Sequence, residues 1–114
     1  MTTAAEDIIR MLERESDGLQ NTLDRHGNDD HETVSKAKHA LNRLRSLAAS
    51  LRASAMAAVE PQTAIAISQG AADLKTAAQA ATDRRLRAQL LIRASAIEAF
   101  LSKRGLRFMS ARTT

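Results

Sequence analysis

Apolar residues recur along this chain at steps of three and four, with almost no strict alternation, so the pattern predicts helices from end to end. Ala5, Ile8, Leu12, Ser16, Leu19 and Leu23 share one face of a first helix over residues 3–26. Gly18 interrupts it at a cost of ~1 kcal/mol relative to alanine. A second helix is expected to start at Asp29 or Asp30, where Asp29 followed by Glu32 has the form of a capping pair. It carries the most regular stripe of the chain: Val34, Ala37, Leu41, Leu44, Ala48, Leu51, Ala55 and Val59. Roughly 30 residues at this spacing span about 45 Å.

Two clusters punctuate the pattern. Gly27-Asn28-Asp29-Asp30 gathers turn formers between the first two stripes, and Pro61 bars easy helix continuation through Glu60. After Pro61 a third stripe, Ile67, Ala71, Leu74, Ala78 and Ala81, predicts a helix over 62–81. A fourth, Leu86, Leu90, Ile97 and Leu101, predicts one over 83–104. The last two stripes are out of phase by more than a quarter turn, with Thr82 as the expected N-cap of the fourth helix. One continuous helix across 62–104 is the alternative. Gly105 after Lys103-Arg104 is a usual helix stop. The expected fold class is therefore all-α: an antiparallel bundle of four helices, or three if the last two are continuous. Residues 1–105 form the bundle domain in this reading, and 106–114 form a short basic C-terminal tail.

Composition supports helices and narrows the chemistry. Of 114 residues 23 are alanine, and only 27 carry a larger apolar side chain, so helix contacts should be thin and close. That thinness predicts association, as a homo-oligomer or with another protein. There is no cysteine, which excludes a disulfide scaffold and thiolate chemistry. No apolar run is long enough to span a bilayer and no signal segment opens the chain, so a cytoplasmic location is expected. Abundant alanine, and 13 arginines against four lysines, fit a high-GC bacterial genome.

The net charge of +4 conceals an asymmetry: residues 1–32 sum to −6 and residues 33–114 to +10. Glu6 and Glu13 flank the first stripe seven residues apart, and Lys38, Arg45 and Arg52 flank the second at the same interval. Such rows pair between neighbouring helices in coiled coils. They can join the two helices of one hairpin, or two chains, and in the second case they are partner-binding residues. The basic excess admits nucleic acid as an alternative partner, through Arg84, Arg85, Arg87, Lys103, Arg104 and Arg107. Against this stand the scatter of those arginines around their helix, the scarcity of aromatics for stacking, and the acidic first helix.

Candidate catalytic groups are few. Ser46, Ser50 and Ser54 fall on the outer side of an ordinary helix, the four glycines are isolated, and no nucleophile has a base and an orienting group beside it. His26, Asp29, Asp30, His31 and Glu32 crowd one turn, but Asn, Asp and Gly are also what such a turn requires, so no metal or cofactor is expected. Lys38-His39-Ala40-Leu41 resembles the opening of a histidine phosphotransfer motif, which implies a phosphoryl-accepting His39 on a four-helix bundle. That family has lysine three residues after the histidine and glycine four after, where this chain has Asn42 and Arg43. The arginine fills the space that an incoming receiver domain needs. The sequence thus points to a non-enzymatic helical interaction module, an adaptor, small chaperone or regulatory subunit, with nucleic-acid association and phosphotransfer on His39 as alternatives.

Overall fold

Thr3 opens the first helix with a reciprocal cap. Its hydroxyl accepts the Glu6 N–H at 3.1 Å, and the Glu6 carboxylate accepts the Thr3 N–H at 2.8 Å. The computed structural model describes residues 3–26, 31–54 and 59–104, and among them there are four helices and no strand. They are α1 (Ala4–Arg25), α2 (His31–Ser54), α3 (Pro61–Ala80) and α4 (Arg84–Lys103). Pro61 occupies the first turn of α3, where its missing N–H costs nothing. The expected turn at 27–30, the Asp29–Glu32 cap, Ala55, the Gly105 stop and the tail at 106–114 lie outside the described residues.

Two expectations at helix ends are corrected. The N-cap of α4 is Asp83, whose carboxylate accepts the Leu86 N–H at 2.9 Å, and not Thr82. Ala81 is already extended (ψ 131°), so a connection of three residues places the aspartate, not the threonine, three positions ahead of the N–H it caps. The last two helices are therefore separate. Val59, expected as the last member of the second stripe, lies outside the helix and half-buried. The ring of Pro61 holds Glu60 in an extended conformation (ψ 148°), which ends helical geometry ahead of it.

The direction of each helix follows from the pairs across it. Glu13 meets Arg52 and Asp17 meets Arg45, so α1 and α2 run antiparallel. Arg43 reaches Gln69 and Asp73 on α3, and Lys75 reaches Glu98 on α4. Arg93 and Arg104 of α4 return to Glu15 and Asp7 of α1, closing an antiparallel four-helix bundle. The α4–α1 side is the least extensively packed of the four.

Every described member of the four predicted stripes except Val59 is buried. The buried faces are wider than the stripes. Ile9, Met11, Glu15 and Thr22 are also inside on α1, Thr33 and Ala40 on α2, Ala64, Gly70 and Ala77 on α3, and Ala94 on α4. Each helix touches two neighbours, so a single line of contact underestimates the face it buries. Alanines let α3 sit close to both flanking helices. At Gly70 the approach is closer still: a Cβ there would lie 2.9 Å from Leu44 Cδ2, so a side chain would crowd a fully buried leucine.

Candidate functional site

Of the charged rows flanking the first two stripes, Glu13, Arg45 and Arg52 are joined between α1 and α2 within the chain, and Glu6 and Lys38 are not. Arg52 bonds Glu13, while Arg45 donates to Gln20 at 3.1 Å and approaches Asp17 at 3.9 Å. Glu6 is engaged in the α1 cap, where acceptance of the Thr3 backbone N–H, and then of its hydroxyl, holds its carboxyl below the ordinary range. Lys38 is exposed on α2, beside His39, and has no ion-pair partner among the described residues. The row geometry is thus that of a hairpin with complementary flanks. Both side chains of the Glu13–Arg52 pair are about half exposed, which limits its contribution to at most ~1 kcal/mol.

The α1–α4 seam contains a polar group that the stripe pattern does not announce. Glu15 lies on α1 with its side chain 5% exposed, and its carboxylate accepts from Arg93 of α4 at 3.1 Å and from the adjacent Arg14 at 3.3 Å. The Arg93 guanidinium rests over Gly18, in the space a Cβ would fill. The glycine that reads as a weak point of the first helix is thus the seat of a cation crossing to the fourth. The Arg93 Nε is buried there without a hydrogen-bond partner among the described residues; Ser16 Oγ, which lines the α1–α2 groove with Arg45 and Ala48, is the other such side-chain atom.

Among the described residues, the outward side of α4 differs from the other surfaces. Leu91 and Ile92 are 40% and 56% exposed, the large hydrophobic side chains open to solvent among the described residues. Ala88 and Ala99 are exposed on the same side. Arg84 and Arg85 stand at the start of this face and Lys103 at its end, each exposed and without an ion-pair partner among the described residues. The only acid within α4 is Glu98, bonded to Lys75 at 2.7 Å. Asp83, just before the helix, accepts the Leu86 N–H, which is the main reason its carboxyl titrates below its ordinary value.

The six basic residues considered for nucleic acid are not gathered into one patch. Arg87 donates to the Ala81 carbonyl at 2.6 Å and so closes the end of α3. Arg104 reaches Asp7 at 3.4 Å and lies 4.1 Å over the Phe100 ring. Arg84 and Lys103 are separated by 19 residues of helix, about 28 Å at the usual rise. Arg107 lies outside the described residues. His39 is exposed, in a shallow depression with His31, Lys38 and Asn42, and exposed Arg43 follows it where the phosphotransfer family has glycine. Ser46, Ser50 and Ser54 are exposed as expected. Asp29 and Asp30 of the acidic turn lie outside the described residues; among the rest, no three His, Asp or Glu side chains converge on a point that could hold a metal ion. No described helix is long and apolar enough to cross a membrane. No known protein family matches the chain, and no curated protein or solved structure matches it either.

Proposed function

We propose that this chain is a non-enzymatic helical interaction module that recognises another protein through the outward face of α4. The observation that carries this reading is the exposure of Leu91 and Ile92 on a bundle whose remaining large hydrophobic side chains, among the described residues, are buried or half-buried. Association was expected because thin alanine-rich faces bury little. In the bundle those faces are spent on one another, with Ile8, Leu12, Leu44, Leu74 and Ile97 fully buried. Among the described residues, the large apolar surface left for a partner is therefore on α4. In this reading the module serves in the cytoplasm of a bacterium, as an adaptor, small chaperone or regulatory subunit.

The test is a photo-crosslinking residue placed at Ile92 or, as a control, at Ser46 on the outside of α2, in the native cell. A discrete protein adduct from position 92 and none from position 46 is the expected result. No adduct from either position overturns the reading. Self-association would use the α1–α2 flank, where Glu13, Arg45 and Arg52 can exchange internal for intermolecular pairs; sedimentation from micromolar to millimolar concentration separates that form. The exposure of Arg84 and Arg85, neither of which has an ion-pair partner among the described residues, favours nucleic acid as a second reading. A random duplex titrated at low and near-physiological salt decides it, using an Arg84→Ala/Arg85→Ala variant that spares the structural Arg87. Submicromolar binding that survives physiological salt and collapses in the variant puts nucleic acid first.

A further inference from the structure

We infer that the outward face of α4 is a docking ridge for a single acidic helix of a partner protein. This rests on the interaction-module reading and adds the chemistry of the partner. Arg85, Ala88, Ile92, Ser95, Ala99 and Ser102 recur at alternating steps of three and four, and all six are exposed. They lie opposite the buried line of Leu86, Leu90, Ala94, Ile97 and Leu101. The row runs the length of the helix, and its apolar members, Ala88, Ile92 and Ala99, lie where a further helix laid lengthwise would make contact. Ile92, with Leu91 beside it, is the raised apolar centre of that ridge. The small side chains at 88, 95 and 99 allow a partner backbone to approach within the usual 8–10 Å interaxial range.

Charge selects the occupant. The ridge is uncharged between Ala88 and Ala99, with cations at both ends: Arg84 and Arg85 at one, Lys103 at the other, about 27 Å from Arg85 along the helix. A second copy of α4 laid antiparallel would set Arg84 and Arg85 against the other copy's Lys103. Laid parallel, it would set each cation against itself. Both arrangements repel. The complement is a helix of about 18 residues with an apolar centre and carboxylates towards both ends. A polyanion such as duplex DNA would gain little along the uncharged middle of the ridge, where its phosphates would find no cations. An anionic membrane would meet only two large apolar side chains.

The experiment uses two labelled, hydrocarbon-stapled helical peptides with the same leucine–alanine ridge, one with glutamates and one with lysines near both ends, titrated against the full chain by fluorescence anisotropy. The glutamate peptide should bind about tenfold more tightly, because three modest exposed ion pairs combine to that factor. Ile92→Ser should weaken it several-fold without moving the melting temperature, since Ile92 is 56% exposed. Arg84→Glu/Arg85→Glu/Lys103→Glu should reverse the preference between the two peptides. Equal affinity for both peptides, or binding indifferent to Ile92→Ser, overturns the inference. So does preferential binding of this face to phosphatidylglycerol vesicles or to a random duplex. If the peptides fail while crosslinking at position 92 still captures a protein, the interaction reading stands and the acidic helix is wrong. If crosslinking is also empty, both fall.

Discussion

Gly18→Ala should destabilise this protein, and the same substitution should stabilise it once Arg93 is gone. In an ordinary helix interior, replacing glycine by alanine gains ~1 kcal/mol. Here the new Cβ would overlap the Arg93 guanidinium, so that group must leave its seat. It is the end of a flexible side chain and 26% exposed, so it swings into solvent and leaves α4 in place. What is lost is its bond to Glu15, whose side chain is 5% exposed. Breaking a buried pair costs ~3–5 kcal/mol; Arg14 still holds Glu15, and Arg93 is partly solvated, so about 2–3 kcal/mol is the appropriate figure. The net is a loss of about 1–2 kcal/mol, a melting temperature lower by roughly 4–8 °C for a domain of this size. In an Arg93→Ala background the displacement cost is absent and Gly18→Ala should gain ~1 kcal/mol. A double-mutant cycle from urea denaturation should therefore give a coupling of about 2–3 kcal/mol, with a change of sign between backgrounds. If Gly18→Ala has the same effect with and without Arg93, the guanidinium is not the reason for the glycine.

Other outcomes follow from the same packing. Leu44→Ala should cost ~2–5 kcal/mol because the side chain is fully buried, and adding Gly70→Ala should recover part of that loss by refilling the vacated space; thermal melts that do not move for Leu44→Ala refute the core assignment. Arg87→Ala should lower stability by about 1 kcal/mol through loss of its bond to the Ala81 carbonyl, whereas Arg84→Ala and Arg85→Ala should stay within about 0.5 kcal/mol of the parent; equal losses at all three positions would remove the distinction. The Asp83 carboxyl titrates lower in the folded chain than in the unfolded one, so its contribution is present above about pH 4 and is lost as pH falls through the folded value. Asp83→Asn should thus be less stable than the parent at neutral pH and match it in acid. A difference unchanged down to strong acid contradicts the charged cap.

The helices were legible in the sequence because nothing competes with the 3.6-residue period: strand formers are scarce, and Thr3, Pro61 and the phase jump near residue 82 each mark a boundary. What escaped the periodic reading is whatever depends on two helices at once. Thr82 and Asp83 are both good caps, and only the extended backbone at Ala81 selects the aspartate. Glu15 and Arg93 look like ordinary surface charges on separate helices, 78 positions apart, and no local signal joins them. Gly18 supplied a hint, since a glycine inside a strong helix calls for a reason, and close approach by another element is the usual one. The outward ridge of α4 was visible in principle as a second three-four spacing on the same helix. It becomes distinctive only when Leu86, Leu90, Ala94, Ile97 and Leu101 are seen to be buried on the other side. A helix with one apolar stripe is explained by its own bundle. A helix that also leaves Leu91 and Ile92 open to solvent, between cations that have no ion-pair partner among the described residues, carries more apolar surface than its fold uses, and that surplus is where recognition of a partner can reside.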